Sequence, residues 1–158
     1  MSDPFFDYPN QETPSEEIVF LPTWTEADWR ALVRDVEVRR FRQGETLARQ
    51  GEADRSLMIV TAGALDVLIP QGRRGKMASV ATLGSGSVAG EQSFLDGLPR
   101  SADLVALEDG EALVLRPETF EIFASRHPDL ALSFLRDLAR MLSTKLRRAN
   151  EFIAQRLG

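Results

Sequence analysis

One short segment in the middle of the chain holds the residues best suited to chemistry. Gly90 and Glu91 open it, and Arg100 and Ser101 close it. The pattern between them predicts a short helix over about Gln92–Asp96, and free backbone N–H groups at the start of such a helix bind anions. Gly90 lets a ligand approach closely, Arg100 can fork onto two phosphate oxygens, and Ser101 can donate another hydrogen bond. The segment therefore predicts a phosphate-binding loop.

Glu91 adds an acceptor to this set of donors. A carboxylate beside a phosphate site is repulsive unless a donor satisfies it and an arginine offsets its charge. A sugar hydroxyl is such a donor. Donors for one phosphate, together with one acid for a ribose hydroxyl, describe a nucleotide that carries a single phosphate and a free 2′-OH.

The composition removes most catalytic chemistries. The chain has no cysteine, and His127 is its only histidine, which excludes thiol nucleophiles, disulfides, iron–sulfur clusters and Cys/His zinc sites. No second carboxylate, histidine or metal-binding set accompanies Glu91 and Arg100 in the pattern. We expect a protein that is not an enzyme and that uses no metal and no catalytic cofactor.

Short strands are predicted to position the segment. β-rich runs separated by glycine turns extend from residue 36 to residue 115, a spacing typical of a sandwich or roll. The predicted strands are Val36–Phe41, Thr46–Arg49, Leu57–Thr61, Leu65–Ile69, Met77–Leu83, Leu104–Leu107 and Ala112–Leu115. A helix over about residues 25–35 comes before them, with Thr25 as its N-cap and Asp28 at the third position. The predicted fold class is mainly β: a jelly-roll-like β-roll with one N-terminal helix and two C-terminal helices.

Two helices are predicted after the strands. Pro117 suits the first turn of one that runs to about Ser125, and Pro128 begins another that extends over about residues 128–157. Apolar residues recur every three or four positions along the second helix: Leu135, Leu138, Leu142, Leu146, Ala149, Ile153 and Leu157. Because such a helix is longer than a small roll can cover, we expect a homodimer through this stripe.

The beginning of the chain differs from the rest in charge and pattern. Residues 1–28 hold seven acidic side chains and no basic one, in a chain of net charge −5. Residues 1–22 contain four prolines and no apolar period, and are predicted to be a flexible acidic arm before a domain over residues 23–158. No run approaches the ~20 apolar residues of a membrane span, and no secretory signal is evident. We expect a cytoplasmic protein without membrane contact.

The same residues resemble a known family. Gly90-Glu91, followed by Pro99-Arg100-Ser101-Ala102 with the arginine nine positions after the glutamate, is similar to the phosphate-binding cassette of cyclic nucleotide-binding domains. That family includes the catabolite activator, protein kinase A regulatory subunits and gated channels. The resemblance extends over about residues 25–157, including the turns at Gln43-Gly44-Glu45 and Gln50-Gly51-Glu52.

The resemblance implies a ligand and a role for each residue. Gly90 and the amides of Gln92 and Ser93 would border the ligand, and Glu91 would bind the ribose 2′-OH. Arg100 and Ser101 would bind the cyclic phosphate of cAMP, or of cGMP. The chain ends where the DNA-binding domain of the transcription-factor branch would begin, so we expect a stand-alone receptor that signals by moving its C-terminal helices against an effector protein or a second copy.

Three other readings of the sequence stay open. The glycine, glutamate and arginine of the segment can also belong to a solvated turn with an ion pair. The same fold can serve as a ligand-free dimerisation or scaffold module. The basic C-terminal helix can belong to a DNA-associated regulator, although its interleaved acids and the lack of a following helix-turn-helix argue against DNA contact.

Overall fold

Eight antiparallel strands build two four-stranded sheets that face each other as a roll, with one helix before the strands and two after them. The structure is a computed structural model that describes residues 19–72 and 74–158. The elements are α1 (Glu26–Val33), β1 (Glu37–Phe41), β2 (Thr46–Ala48), β3 (Leu57–Ala62), β4 (Leu65–Gln71), β5 (Lys76–Leu83), β6 (Val88–Ala89), α2 (Glu91–Asp96), β7 (Asp103–Ala106), β8 (Gly110–Leu115), α3 (Pro117–Arg126) and α4 (Pro128–Leu157). The sheet orders are β1-β8-β3-β6 and β2-β7-β4-β5. The predicted β-roll is confirmed.

Strand β3 shows how the core is divided between the roll and the helices. Met58 and Val60 point into the roll interior, whereas Leu57 and Ile59 belong to the apolar cluster that the helices cover. Successive side chains of a strand face opposite sides of the sheet, so a strand with all four of these residues buried must be covered on both faces. The helices therefore complete the core of this sheet.

The second apolar cluster is built around Phe134 of α4, which is fully buried. The ring of Phe20 packs edge-on against it with ring centroids 5.0 Å apart, and the ring of Phe120 lies at the same distance. Trp24 and Phe123 belong to the same cluster, and the indole N–H of Trp24 donates to the hydroxyl of Ser133. These aromatic contacts fix α4 on the outside of the roll.

The ends of the helices follow the predicted signals. Thr25 and Asp28 form a capping box at the start of α1, and Pro117 and Pro128 occupy the first turns of α3 and α4. Strand β6 was not among the predicted strands, because two residues are too few to show an alternating pattern.

The acidic arm was predicted to extend to residue 22, and the structure places its last part in the core. Phe20 and Leu21 are both buried. The amide of Phe20 donates to the carbonyl oxygen of Gly86, and the amide of Leu21 donates to the carboxylate of Asp137 on α4. The domain therefore includes this segment, and the other residues assigned to the arm, 1–18, lie outside the described residues.

The apolar stripe predicted along α4 is divided between two faces of the helix. Leu138 is buried against the roll, on the same face as Ala131, Phe134 and Met141. Leu135, Leu146, Ile153 and Leu157 stay exposed on another face. From residue 146 onward every residue of α4 except Phe152 is exposed, so the last part of the helix projects from the domain. Among the described residues, no helix has both the length and the apolarity needed to span a membrane.

Candidate functional site

The segment singled out from the sequence connects the two sheets. The cassette (residues 90–101) leaves β6 of one sheet, forms α2, and enters β7 of the other. Gly90 and Gly97 flank the helix with φ of 77° and 73°, in the left-handed region that side chains other than glycine rarely adopt. The amide of Phe94 makes the first helical bond, to the Gly90 carbonyl, so the amides of residues 91–93 precede the helical ladder.

Arg100 is buried beneath the start of the cassette, with only 4% of its surface exposed. Its Nη1 donates to the carbonyl oxygen of Gly90 at 3.1 Å. Its Nη2 donates to the carbonyl oxygen of Ser56 at 2.6 Å and to the hydroxyl of Ser56 at 3.1 Å. Arg100 thus joins the loop before β3 to the loop after β6.

These contacts show that Arg100 stabilises the folded domain by linking two loops. A position between short elements predicts a charge that faces a cavity and contributes little to folding. The structure instead has a guanidinium bound to two backbone carbonyls in the interior. Its Nε is buried without an acceptor among the described residues, and a buried donor of this kind is costly unless an acceptor reaches it. The Nε–H of Arg100 is thus a buried donor without an acceptor among these residues, beside the start of the cassette.

Asp54 and Ser56 are site residues that the sequence analysis missed. A carboxylate oxygen of Asp54 lies 3.5 Å from Nη2 of Arg100, and its carboxylate accepts from both the amide and the hydroxyl of Ser56. Burial raises the pKa of Asp54, but the hydrogen bonds from Ser56 and the charge of Arg100 outweigh it, and the pKa lies below its ordinary value. Nothing in the local pattern of this loop indicates a contact 44 residues away.

Glu91 is also buried, with 8% of its surface exposed, and its partner comes from the other end of the chain. Nζ of Lys145 on α4 lies 2.6 Å from Oε1 of Glu91. Phe94, three residues after Glu91, packs on Phe120 and Phe134 with ring centroids 5.7 and 6.5 Å apart. The cassette therefore contacts α4 through one ion pair and one aromatic contact.

The remaining predicted residues differ in exposure. Ser93 is buried, whereas the side chains of Gln92 and Ser101 are exposed. Arg55 stabilises α2, because its guanidinium donates to the carbonyl oxygens of Ser93 and Phe94 in that helix. The structure thus buries Glu91, Ser93 and Arg100, places Arg100 against the half-buried Gly90, and leaves the side chains of Gln92 and Ser101 at the surface.

A side chain at position 90 has no room. An added Cβ would meet Nη1 of Arg100 and would lie 2.6 Å from the carbonyl oxygen of Ser56. Glycine is therefore required here both by the backbone angle and by the close approach of Arg100.

Residues 38–127 match the family model described as "Cyclic nucleotide-binding domain". The chain belongs to this family. The cyclic AMP receptor protein of Thermus thermophilus is 35% identical over 112 residues, which cover 71% of this chain and 50% of that protein. The crystal structure of the Thermus thermophilus catabolite activator protein is 28% identical, with a TM-score of 0.74, and the match covers 85% of this chain and 61% of that one.

A cyclic nucleotide-binding domain from Methylobacillus flagellatus has the same fold over nearly the whole chain. Its TM-score is 0.78, and the match covers 99% of this chain and 97% of that structure, at 20% identity. The chain spans half the length of the Thermus thermophilus receptor. The resemblance in the cassette is thus accompanied by a matching fold.

Proposed function

We propose that this protein is a cyclic nucleotide receptor that binds cAMP in the cassette and signals through α4. The observation that carries the proposal is the buried guanidinium of Arg100, whose Nε–H has no acceptor among the described residues at the point where the cassette begins. A phosphate oxygen would supply that acceptor once ligand binding moves the cassette enough to expose Nε, which protein atoms enclose in this structure. A charge-assisted hydrogen bond to it would remove the cost of the unpartnered donor.

The residues around Arg100 support a nucleotide and not a bare anion. The backbone amides of residues 91–93 precede the helical ladder of α2, which leaves them available to phosphate oxygens, and Ser101 has an exposed hydroxyl. Among the described residues, Glu91 accepts one hydrogen bond, from Lys145 to Oε1, whereas a carboxylate has about four acceptor sites. The ribose 2′-OH is the donor that this carboxylate would take in our proposal.

We propose cAMP as the preferred ligand and cGMP as the weaker one. Ser101 follows Arg100 in the arrangement that resembles the catabolite activator, and the Thermus thermophilus relative is named for cyclic AMP. Serine can also donate to, or accept from, a guanine base, so the preference is expected to be modest.

Signalling is proposed to run through α4 to a second copy of the chain or to an effector protein. The ligand would contact the cassette, and the cassette contacts α4 through Phe94 and Glu91. A ligand shifts the position of α4 only to the extent that it binds one arrangement better than another. The exposed Leu135, Leu146 and Ile153 on the outer face of α4 are the surface that we propose for homodimerisation.

Calorimetric titration tests the ligand and its position together. The protein should bind cAMP saturably with one ligand per chain and should bind cGMP more weakly. Ser101→Ala should lower the affinity for cAMP by about tenfold or more, because a hydrogen bond to a charged group is typically worth ~1.5–3 kcal/mol. Its side chain is exposed, so the free energy of unfolding should stay unchanged.

Ser143→Ala is the matched control, because it removes an equally exposed hydroxyl from α4. It should leave the affinity for cAMP within about twofold of the unsubstituted protein. If Ser101→Ala binds cAMP as Ser143→Ala does, the phosphate does not contact position 101. If cGMP binds more tightly than cAMP, the ligand preference is reversed while the placement of the site stands.

A further inference from the structure

Lys145 lies on the inner face of α4, where it contacts the cassette. It follows Met141 by four positions, and Met141 follows the buried Phe134 and Leu138 on the same face. Beyond it the helix is exposed except at Phe152. The fully buried residues of this face before Lys145 are apolar. Asp137 of the same helix contacts the amide of Leu21, and Lys145 is the charged residue of α4 that contacts the cassette.

The ion pair with Glu91 is partly shielded from solvent. Nζ of Lys145 lies 2.6 Å from Oε1 of Glu91, and the two side chains are 35% and 11% exposed. The pair joins residues 54 positions apart in the chain. A carboxylate as buried as that of Glu91 is unfavourable without a nearby cation, and Lys145 is the cation that the structure supplies.

Two ion pairs lie at the cassette. Arg100 faces the carboxylate of Asp54 at 3.5 Å, and Glu91 faces Lys145. A cyclic phosphate adds one negative charge to this arrangement. Without Lys145, that charge would enter beside an uncompensated carboxylate, and the repulsion would oppose binding.

The ion pair leaves Glu91 able to bind a ligand. Lys145 contacts Oε1, and a carboxylate offers about four acceptor sites on its two oxygens. A ribose hydroxyl can therefore donate to Glu91 while Lys145 stays in place. The contact of α4 with the cassette and the contact of the ligand with Glu91 are compatible.

We propose that Lys145 is a positioning residue of the ligand site: it holds and neutralises the Glu91 carboxylate for the ribose, and so couples ligand affinity to the docking of α4. The proposal rests on the cyclic nucleotide function proposed for the cassette. Coupling of this kind is reciprocal, so the ligand strengthens the contact of α4 with the cassette as much as that contact strengthens ligand binding.

A double-mutant cycle on the full chain tests the coupling. The affinity for cAMP is measured by calorimetry for the unsubstituted protein, Lys145→Met, Glu91→Gln and the double variant. Lys145→Met keeps the length and apolar stem of the side chain and should weaken binding about tenfold. In the Glu91→Gln background, where position 91 carries no charge, the same substitution should change the affinity less than about twofold.

Arg147→Met is the matched control, because it removes one positive charge from the exposed part of α4 two residues away. It should leave the affinity within about twofold. As a second readout, cAMP should slow hydrogen exchange of the α4 amides over residues 141–149 in the unsubstituted protein and should slow it much less in Lys145→Met. A purely structural role for Lys145 would not make the ligand effect on exchange depend on this residue.

The outcomes separate this proposal from the one on which it rests. If the unsubstituted protein binds neither cAMP nor cGMP, both proposals are overturned. If it binds cAMP and Lys145→Met binds equally well or more tightly, the receptor function stands and the positioning role is overturned. An equal loss in the Glu91 and Glu91→Gln backgrounds would also overturn it, because Lys145 would then act without Glu91.

Discussion

Replacing Gly90 by alanine perturbs the cassette at its most crowded point. The new Cβ would be forced against Nη1 of Arg100 and the carbonyl oxygen of Ser56, in a backbone conformation with φ of 77°. Two costs therefore add. The left-handed backbone with a side chain costs ~1–2 kcal/mol. Relieving the contact by displacing packed atoms typically costs a further ~1–3 kcal/mol.

The sum predicts that Gly90→Ala lowers the free energy of unfolding by ~2–5 kcal/mol. It should also weaken cAMP binding, because Arg100 cannot keep its place when Cβ is present. Gly44→Ala has only the first cost, since Gly44 has φ of 84° and an added Cβ there has nothing within 4 Å. This control should lose only ~1–2 kcal/mol and should bind cAMP normally.

Urea denaturation followed by fluorescence of the two tryptophans measures both free energies of unfolding. The difference between the two variants is the quantity that depends on Arg100. If Gly90→Ala is no less stable than Gly44→Ala and binds cAMP equally well, the packing of Arg100 under Gly90 is wrong.

Three further predictions concern Arg100, Asp54 and the outer face of α4. Arg100→Leu should lower the free energy of unfolding of the ligand-free domain by ~2–4 kcal/mol in urea denaturation, because the Ser56 carbonyl loses the guanidinium and the Gly90 carbonyl keeps only the Phe94 amide; an unchanged value would contradict the buried contacts. Asp54→Asn should destabilise the protein at neutral pH. The pKa of Asp54 is lower in the folded state than its ordinary 3.8, so its stabilisation is complete above that value and is lost as pH falls through the lowered pKa. The difference in free energy of unfolding between Asp54→Asn and the unsubstituted protein should therefore shrink in acid. A difference that is constant with pH would contradict the lowered pKa of Asp54. Leu146→Glu, at a residue 62% exposed, should convert a dimer to a monomer in sedimentation experiments without lowering the melting temperature, whereas a mass that does not change would exclude this face of α4 as the dimer contact.

The fold was predictable where local patterns are long and regular. Alternating strands between glycine turns, the capping box at Thr25 and the prolines at 117 and 128 each give a signal within a few residues. The burial of Phe20 and Leu21 was not predictable, because the acids and prolines before them resemble a disordered segment and their partners are distant. Phe20 bonds to Gly86, and Leu21 to Asp137.

The residues of the cassette were predictable from the sequence, but the residues that hold them in place were not. The spacing from Gly90 to Ser101 indicates phosphate and ribose chemistry because those residues lie within one loop. The partners that hold them come from elsewhere: Ser56 is 44 residues from Arg100, and Lys145 is 54 residues from Glu91. Sequence periodicity reports which face of a helix is apolar, and it does not report which loop a single lysine on that face contacts.

A proton–nitrogen correlation spectrum of the full chain, titrated with cAMP, tests most directly whether the cassette is the ligand site. We expect saturable shifts along α4 near residue 145, and larger ones at five amides of the cassette: Gly90, Glu91, Ser93, Arg100 and Ser101. A spectrum that does not change at high cAMP concentration would contradict the receptor function. Largest shifts at the cleft between α1 and α3, which is lined by Ala31, Phe123 and Arg126, would contradict the placement of the site.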